Sequence, residues 1–405
     1  MKIENEIEVP ACVSGSLRSP IRVIHLPEAV GGNSPGLAAA ERAIGLDSEA
    51  FSLRPHPFGY SGVKSMSRDD ASAAELVLGM IKMFWVAITR ADIIHFNFGR
   101  TVFDPGPNVI GRIPRWCGLR LMIHWIQALE LSVYRFLRKP VFVTYMGDDA
   151  RQGDHSRKRF AITMADHVEG GYYAAGSDDA KRRRIELFNR YAADVFYLNP
   201  DLGWVLPGRA KFVSYASVDP ALWVPVYPRP ENGPHIVHAP SHRGAKGSRY
   251  VLEAVERLRE AGNIFRFTVV EGMTHEEACR IYREADLVVD QLLAGWYGGF
   301  AVECMALGKP VVAYLRQDDL DFLPPKMRDE LPLIQAEPDT IYDVLEQWIN
   351  LPAERYEQVG MAGRAFVERW HDPLKVANLM KGCYQNAQGA PDSGNEGKVD
   401  QCVGS

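Results

Sequence analysis

Three short runs of this chain carry residue types that can hold a phosphorylated ligand. In GWYGGFAVECMALGKP, residues 295–310, the pair Gly298-Gly299 precedes Phe300 and an apolar helical pattern. A glycine turn that opens a helix leaves unpaired backbone N–H groups at the positive end of the helix dipole, which suits a phosphate. Glu303 falls about one turn inside that helix, placed to accept hydrogen bonds from a ribose or sugar hydroxyl. Upstream, PSHRGAKG sets Arg243 and Lys246 on one short loop. Two such cations neutralise a diphosphate, arginine by a bidentate fork and lysine as a point charge. Between these runs, GMTHEE offers the backbone of Gly272 and Met273 to a base edge. Taken singly, each run reads as a solvated loop or a helix cap. In this order they favour a nucleotide site.

The elements that must position these runs alternate in the manner of parallel α/β folds. Short β-branched runs, IRVIHL (21–26), ADIIHFNF (91–98), PVFVTYMG (140–147) and DVFYLN (194–199), predict strands separated by helices over 35–45, 71–90 and 179–192. Four prolines, Pro225, Pro228, Pro230 and Pro234, then interrupt the pattern and mark a linker. Alternation restarts with strands HIVHA (235–239), FRFTVVE (265–271), DLVVDQLL (286–293) and PVVAYL (310–315). Helices are expected over 247–261, 275–284, 300–307, 338–350 and 354–370. Parallel strands align their carboxyl ends, so the three ligand-holding runs converge on one sheet edge.

Composition sets the outer bounds. A chain of 405 residues predicts two domains. Hydrophobic content of 46%, charged content of 24% and a net charge of -5 describe a globular protein and argue against a nucleic-acid partner. The six cysteines show no metal or disulfide spacing, which favours a reducing compartment. MKIENEIEVPACV has no apolar core of a signal peptide, and Leu76–Thr89, interrupted by Lys82, is too short for a membrane span. The expected setting is cytoplasmic, with peripheral contact to the inner face of a membrane as a further option.

The order of these runs resembles the C-terminal domain of GT-B glycosyltransferases, specifically the retaining family 4 enzymes. Lys246-Gly247 stands in the first loop and Met273-Thr274-His275-Glu276-Glu277 in the second. Glu303-Cys304-Met305-Ala306-Leu307-Gly308-Lys309-Pro310-Val311-Val312 matches the family's Glu, Met-Ala-x-Gly-x-Pro-Val-Val pattern. The match covers residues 235–375 strongly and the first half loosely. It implies two Rossmann-like domains facing each other across a cleft. Glu303 would bind the nucleotide ribose, and Arg243 and Lys246 the pyrophosphate. Gly298, Gly299 and Phe300 would offer N–H groups to the β-phosphate or donor sugar, and Met273 its backbone to the base. The family's first glutamate, which touches donor-sugar hydroxyls, is replaced by Gly295, with Asp290 and Gln291 as substitutes only in a reshaped loop.

In the first half, EAVGGNSPG places Gly31, Gly32 and Asn33 after the first strand, where the backbone can approach donor phosphates or form a tight turn. His95 is either a proton acceptor or a structural histidine. YMGDDAR sits where family 4 enzymes often carry a His-Gly-x-Asp run, with Met146 in the histidine's place. There Asp149, with Asp148, either binds acceptor hydroxyls or caps a helix. Residues 112–139 combine basic residues with Trp116, Trp125, Tyr134 and Phe136, and read as a membrane-surface segment or as a core helix with snorkelling arginines.

The domain organisation read from the sequence is an arm over 1–19, an acceptor domain over 20–222, a linker over 223–234, a nucleotide-sugar domain over 235–363, a helix over 364–387 returning to the first domain, and a disordered tail over 388–405. The expected activity is sugar transfer from a nucleoside diphosphate sugar, with UDP or GDP as carrier, to a small-molecule, glycan or lipid-linked acceptor. The resemblance implies retention of anomeric configuration, and neither a metal site nor a cofactor is expected. Epimerisation or hydrolysis of a nucleotide-sugar, and a catalytically silent partner protein of the same fold, are the alternatives.

Overall fold

The computed structural model describes residues 19–106 and 118–389. The expected arm and tail fall almost wholly outside these residues, as do positions 112–117 of the basic aromatic segment. Two parallel sheets carry the chain. The first has strands β1 (Arg22–Leu26), β2 (Asp47–Ser52), β3 (Val63–Ser65), β4 (Ile93–Asn97), β5 (Val141–Tyr145), β6 (Asp194–Tyr197) and β7 (Lys211–Phe212), in the order β3-β2-β1-β4-β5-β6-β7. The second has β8 (His235–His238), β9 (Arg266–Val269), β10 (Leu287–Val289), β11 (Val311–Ala313) and β12 (Ile334–Gln335), in the order β12-β11-β10-β8-β9. The central strands are apolar and buried on both faces, as a helix-covered parallel sheet requires.

Helices pack around these sheets, among them α1 (Asn33–Ala43), α2 (Ala73–Arg90), α3 (Gly118–Phe136), α4 (Arg243–Lys246), α5 (His275–Glu284), α6 (Gly299–Ala306), α7 (Ala353–Trp370) and α8 (Pro373–Gly389). Capping boxes start two of them. Ser72 with Glu75 opens α2, and Thr274 with Glu277 opens α5, which fixes His275 as its first residue. The cationic run expected as a loop winds instead into the single turn α4, capped by the His242 side chain at Ala245 N.

The linker is strapped to the second half. Val226 N donates to Leu307 O at 2.9 Å, and Arg364 reaches the carbonyls of Pro220, at 2.7 Å, and Ala306, at 2.8 Å. The return to the first half begins later than residue 364. Helix α7 stays on the second sheet's side against α6, the chain turns at His371, and α8 then packs on α1. There the Tyr384 hydroxyl lies 2.7 Å from His95 Nδ1 and donates to Glu41 Oε1 at 2.9 Å, while Lys381 Nζ donates to Ile44 O at 2.8 Å.

Candidate functional site

The three loops after β8, β9 and β10 meet at one edge, because β8 pairs with both neighbours in register. Together with loops of the first half they line a cavity of 490 Å³. Of the residues singled out from the sequence, Gly31, Lys246, Met273, Gly299, Phe300 and Glu303 face it. A smaller cavity of 240 Å³ lies alongside and shares Gly31, Lys246 and Gly299 with the first. Gly298 lines the smaller cavity, with Asp148, Arg151, Tyr172 and Gln291.

Asp290 organises the boundary between the two. Its carboxylate, fully buried at the end of β10, takes Lys246 Nζ at 2.7 Å on one oxygen and Gly298 N at 2.7 Å on the other. One carboxylate thus fixes both the lysine and the N-cap of α6. The next N–H groups of α6, at Gly299 and Phe300, have no acceptor within their helix and lie beside the Lys246 cation. An anion at this boundary meets a cation and a helix N-terminus together. Gly31, with φ of 60°, faces it from the first half, and a Cβ there would enter open space.

Glu303 is 8% exposed, and its Oε1 lies 2.8 Å from His275 Nε2. Contacts with Cys279 and Glu303 push the His275 pKa up to about 10, against the opposing effect of burial. The imidazolium therefore faces the Glu303 carboxylate at charge-assisted hydrogen-bond distance. The ligand atoms of His275, Cys279 and Glu303 all lie within 4.8 Å of one another, a grouping of metal-binding types that spacing in the sequence did not single out. From the opposite side, the Tyr60 ring stands 5.5 Å from the His275 ring, and His56 and Phe58 line the same wall. This aromatic loop of the first half was missed as well. Its only signal was the aromatic spacing of HPFGY between predicted elements.

Other expected residues stand elsewhere. Arg243 forks onto Glu271 with distances of 2.9 and 2.6 Å and lines a shallow surface depression, outside both cavities. The two-cation grip thus reduces to Lys246 on this loop, with Arg151 of the first half lining the smaller cavity. His95 is fully buried, with Nδ1 on Tyr384 and Nε2 on Thr144 Oγ1, both at 2.7 Å, and burial lowers its pKa. It is a structural histidine beneath α8. Asp149 is turned inward, accepting from Gly147 N at 2.7 Å and Met146 N at 3.1 Å, and burial raises its pKa to about 6. Its neighbour Asp148 faces the smaller cavity instead, paired with Arg151 at 3.0 Å and the Tyr172 hydroxyl. Asn33 accepts from Ala216 N at 2.7 Å, which ties down the glycine loop, and Gly32 packs on Tyr60.

Gly295, which the resemblance read from the sequence aligns with a family glutamate, has φ of 81°, and a Cβ there would come 2.5 Å from Arg316 Nη1. Arg316 is fixed over that spot by Asp319 at 2.6 Å, by the Ile162 carbonyl at 2.9 Å and by the Phe160 ring. Asp290 is committed to Lys246 and Gly298, and Gln291 donates to the Trp296 carbonyl.

Two facing parallel α/β sheets, a cleft at their carboxyl edges and a final helix crossing back define the GT-B fold. Solved structures share it across nearly the whole chain. Sucrose-phosphate synthase from Thermosynechococcus elongatus aligns with a TM-score of 0.55 at 15% identity, over 91% of this chain and 99% of its own. HepE of Anabaena, solved in complex with UDP and glucose, gives 0.56 at 12% identity, over 90% and 100%. The catalytic domain of starch synthase IV from Arabidopsis thaliana, bound to ADP and acarbose, gives 0.55 at 11% identity, over 92% and 99%. No family model and no curated protein match the sequence.

Proposed function

We propose that the protein transfers a sugar from a nucleoside diphosphate sugar, with UDP or GDP as carrier, to an acceptor hydroxyl. The observation that carries this reading is the pair of adjoining cavities with Lys246 and the α6 N-terminus at their boundary. A nucleoside fills the larger cavity, its ribose at Glu303 and its base at Met273. The diphosphate lies across the boundary, and the sugar enters the smaller cavity toward Asp148, Arg151 and Gln291. UDP and ADP in structures of the same fold support the ligand class.

Transfer follows a front-face course with retention, inherited from the resemblance to family 4 enzymes. The acceptor oxygen attacks the anomeric carbon as the bond to the diphosphate breaks, and the departing phosphate oxygen takes the acceptor proton. Lys246 and the α6 N–H groups stabilise the charge that develops there. No protein nucleophile is needed, so neither the buried His95 nor the inward Asp149 limits the reaction. With Gly295 under Arg316, the donor sugar is held without a carboxylate at that position, and its recognition falls to Asp148 and Arg151 of the first half together with Gln291 of the second.

Screening nucleoside diphosphates and nucleotide-sugars for thermal stabilisation tests this directly, since a ligand that binds the folded state raises the melting temperature by mass action. Stabilisation by one nucleotide series, lost in Glu303→Ala, is expected. A folded protein stabilised by none of them overturns the transferase reading and favours the silent-partner alternative.

A further inference from the structure

Helices α2 and α3 present their outer faces to solvent, and those faces are apolar. Twelve of the twenty large hydrophobic side chains that are exposed among the described residues lie on these two helices and the turn after the second. On α2 the stripe runs through Leu78, Ile81 and Trp85, and on α3 through Met122, Trp125 and Leu129. Trp85 is 63% exposed and Trp125 66%. The opposite faces are ordinary core. Met83 and Ala87 of α2 and Leu131 and Tyr134 of α3 join one buried cluster, and the Phe84 and Tyr134 rings, 5.5 Å apart, set the helices side by side. Apolar side chains on both faces of two neighbouring helices exceed what folding requires.

The charges around the stripe have one sign. Helix α3 and the turn after it expose Arg135 and Arg138, whereas Arg120 has buried guanidinium nitrogens and Lys139 Nζ donates to Ala91 O. Their single carboxylate, Glu130, points inward, accepting from Val102 N at 2.9 Å and Phe103 N at 3.1 Å. On α2, Lys82 is exposed beside Ile81, and Glu75 is spent on the capping box. This basic rim belongs to a chain whose net charge is -5. No helix among the described residues is long and apolar enough to cross a membrane.

We infer that α2 and α3 together form a docking face for an anionic lipid bilayer, with the apolar stripe at the headgroup–acyl boundary and the arginines among the headgroups. Tryptophan on an apolar stripe flanked by cations is the composition that an interfacial helix needs. A second copy fits the same face poorly, because a symmetric pairing sets basic rim against basic rim. The face deepens the transfer reading by placing the acceptor at a membrane surface. It rests on that reading only for its purpose, since the surface is built without any residue of the donor cavities.

The full chain is sedimented with phosphatidylcholine vesicles, with and without phosphatidylglycerol, at low and high salt. Binding to the anionic vesicles, weakened by salt, is expected. Trp85→Ser with Trp125→Ser, both at exposed positions, should lower partitioning by roughly tenfold or more, and Arg135→Glu with Arg138→Glu should abolish the preference for anionic lipid. A folded wild type that stays in the supernatant, or a tryptophan double variant that binds equally well, overturns the proposal. So does a dimer of the free protein that the tryptophan changes dissolve, since that makes a second copy the occupant. Nucleoside diphosphate stabilisation, measured on the same variants, should be unchanged. Its absence from wild type would indict the donor site and leave the lipid result to stand by itself.

Discussion

Replacing Lys246 by alanine should produce two separable losses. Asp290 is fully buried and the Lys246 side chain is 13% exposed, so the substitution leaves a buried carboxylate with only the Gly298 N–H as partner. Breaking a buried pair from one side costs about 3–5 kcal/mol, and the partial exposure of the lysine puts this case near about 3. The second loss is in ligand binding. Removing a charged hydrogen-bond donor from the diphosphate position costs about 1.5–3 kcal/mol, or roughly 10- to 150-fold in affinity. The double variant Lys246→Ala with Asp290→Asn separates them. A neutral amide keeps an oxygen for Gly298 N and no longer buries an unpaired charge, so most of the stability should return. The lost affinity should not. Urea unfolding and nucleotide titration on wild type, single and double variants read both terms. A Lys246→Ala protein with unchanged nucleotide affinity refutes the placement of the diphosphate. A double variant as unstable as the single refutes the role given to the Asp290 charge.

Other sites yield three more expected outcomes. The substitution Gly295→Glu should destabilise the protein by about 1–3 kcal/mol in thermal unfolding, since the residue has φ of 81° and its Cβ meets Arg316; equal stability would show that Arg316 yields easily. Folded His275 keeps its proton up to about pH 10, above the unfolded value near 6.5. Its contribution to stability is therefore complete below about pH 6.5 and lost as pH rises through about 10, so the unfolding midpoint of wild type should fall across that window more steeply than that of His275→Asn. Parallel curves would remove the charged pair. Tyr384→Phe strips His95 and Glu41 of a buried partner and should cost about 1–3 kcal/mol in urea unfolding while nucleotide affinity stays constant; a change in affinity would mean that the network reaches the cleft.

The alternation of apolar strands and helices made the two sheets legible, because parallel strands buried on both faces must be continuously apolar. The edge at which the second half's loops meet was equally readable, since strand direction alone sets it. The charge partners of each side chain were not. Arg243 and Lys246 look equivalent in sequence, yet one forks outward onto Glu271 and the other inward onto Asp290. That difference comes from partners remote in the chain, Glu271 just after β9 and Asp290 just after β10, which lie on either side of the turn's loop. His95 was ambiguous because a histidine on a buried strand looks the same whether its face is covered by a cleft or by a helix some 289 residues later in the chain. The Tyr60 loop escaped notice because its partner, His275, belongs to the other half.

The crossing of α8 has a consequence for the order in which the molecule is made. His25, Glu41 and His95 lie wholly inside the first sheet's half, linked by the 2.8 Å contact of His25 with Glu41, but their network takes its last member from Tyr384. A ribosome releases the first sheet long before that residue. Until then the groove over α1 stays open, with buried-type polar groups meeting water. The half synthesised first is thus the half completed last, and loss of the final helix would unseal the amino-terminal sheet while leaving the carboxyl-terminal one whole.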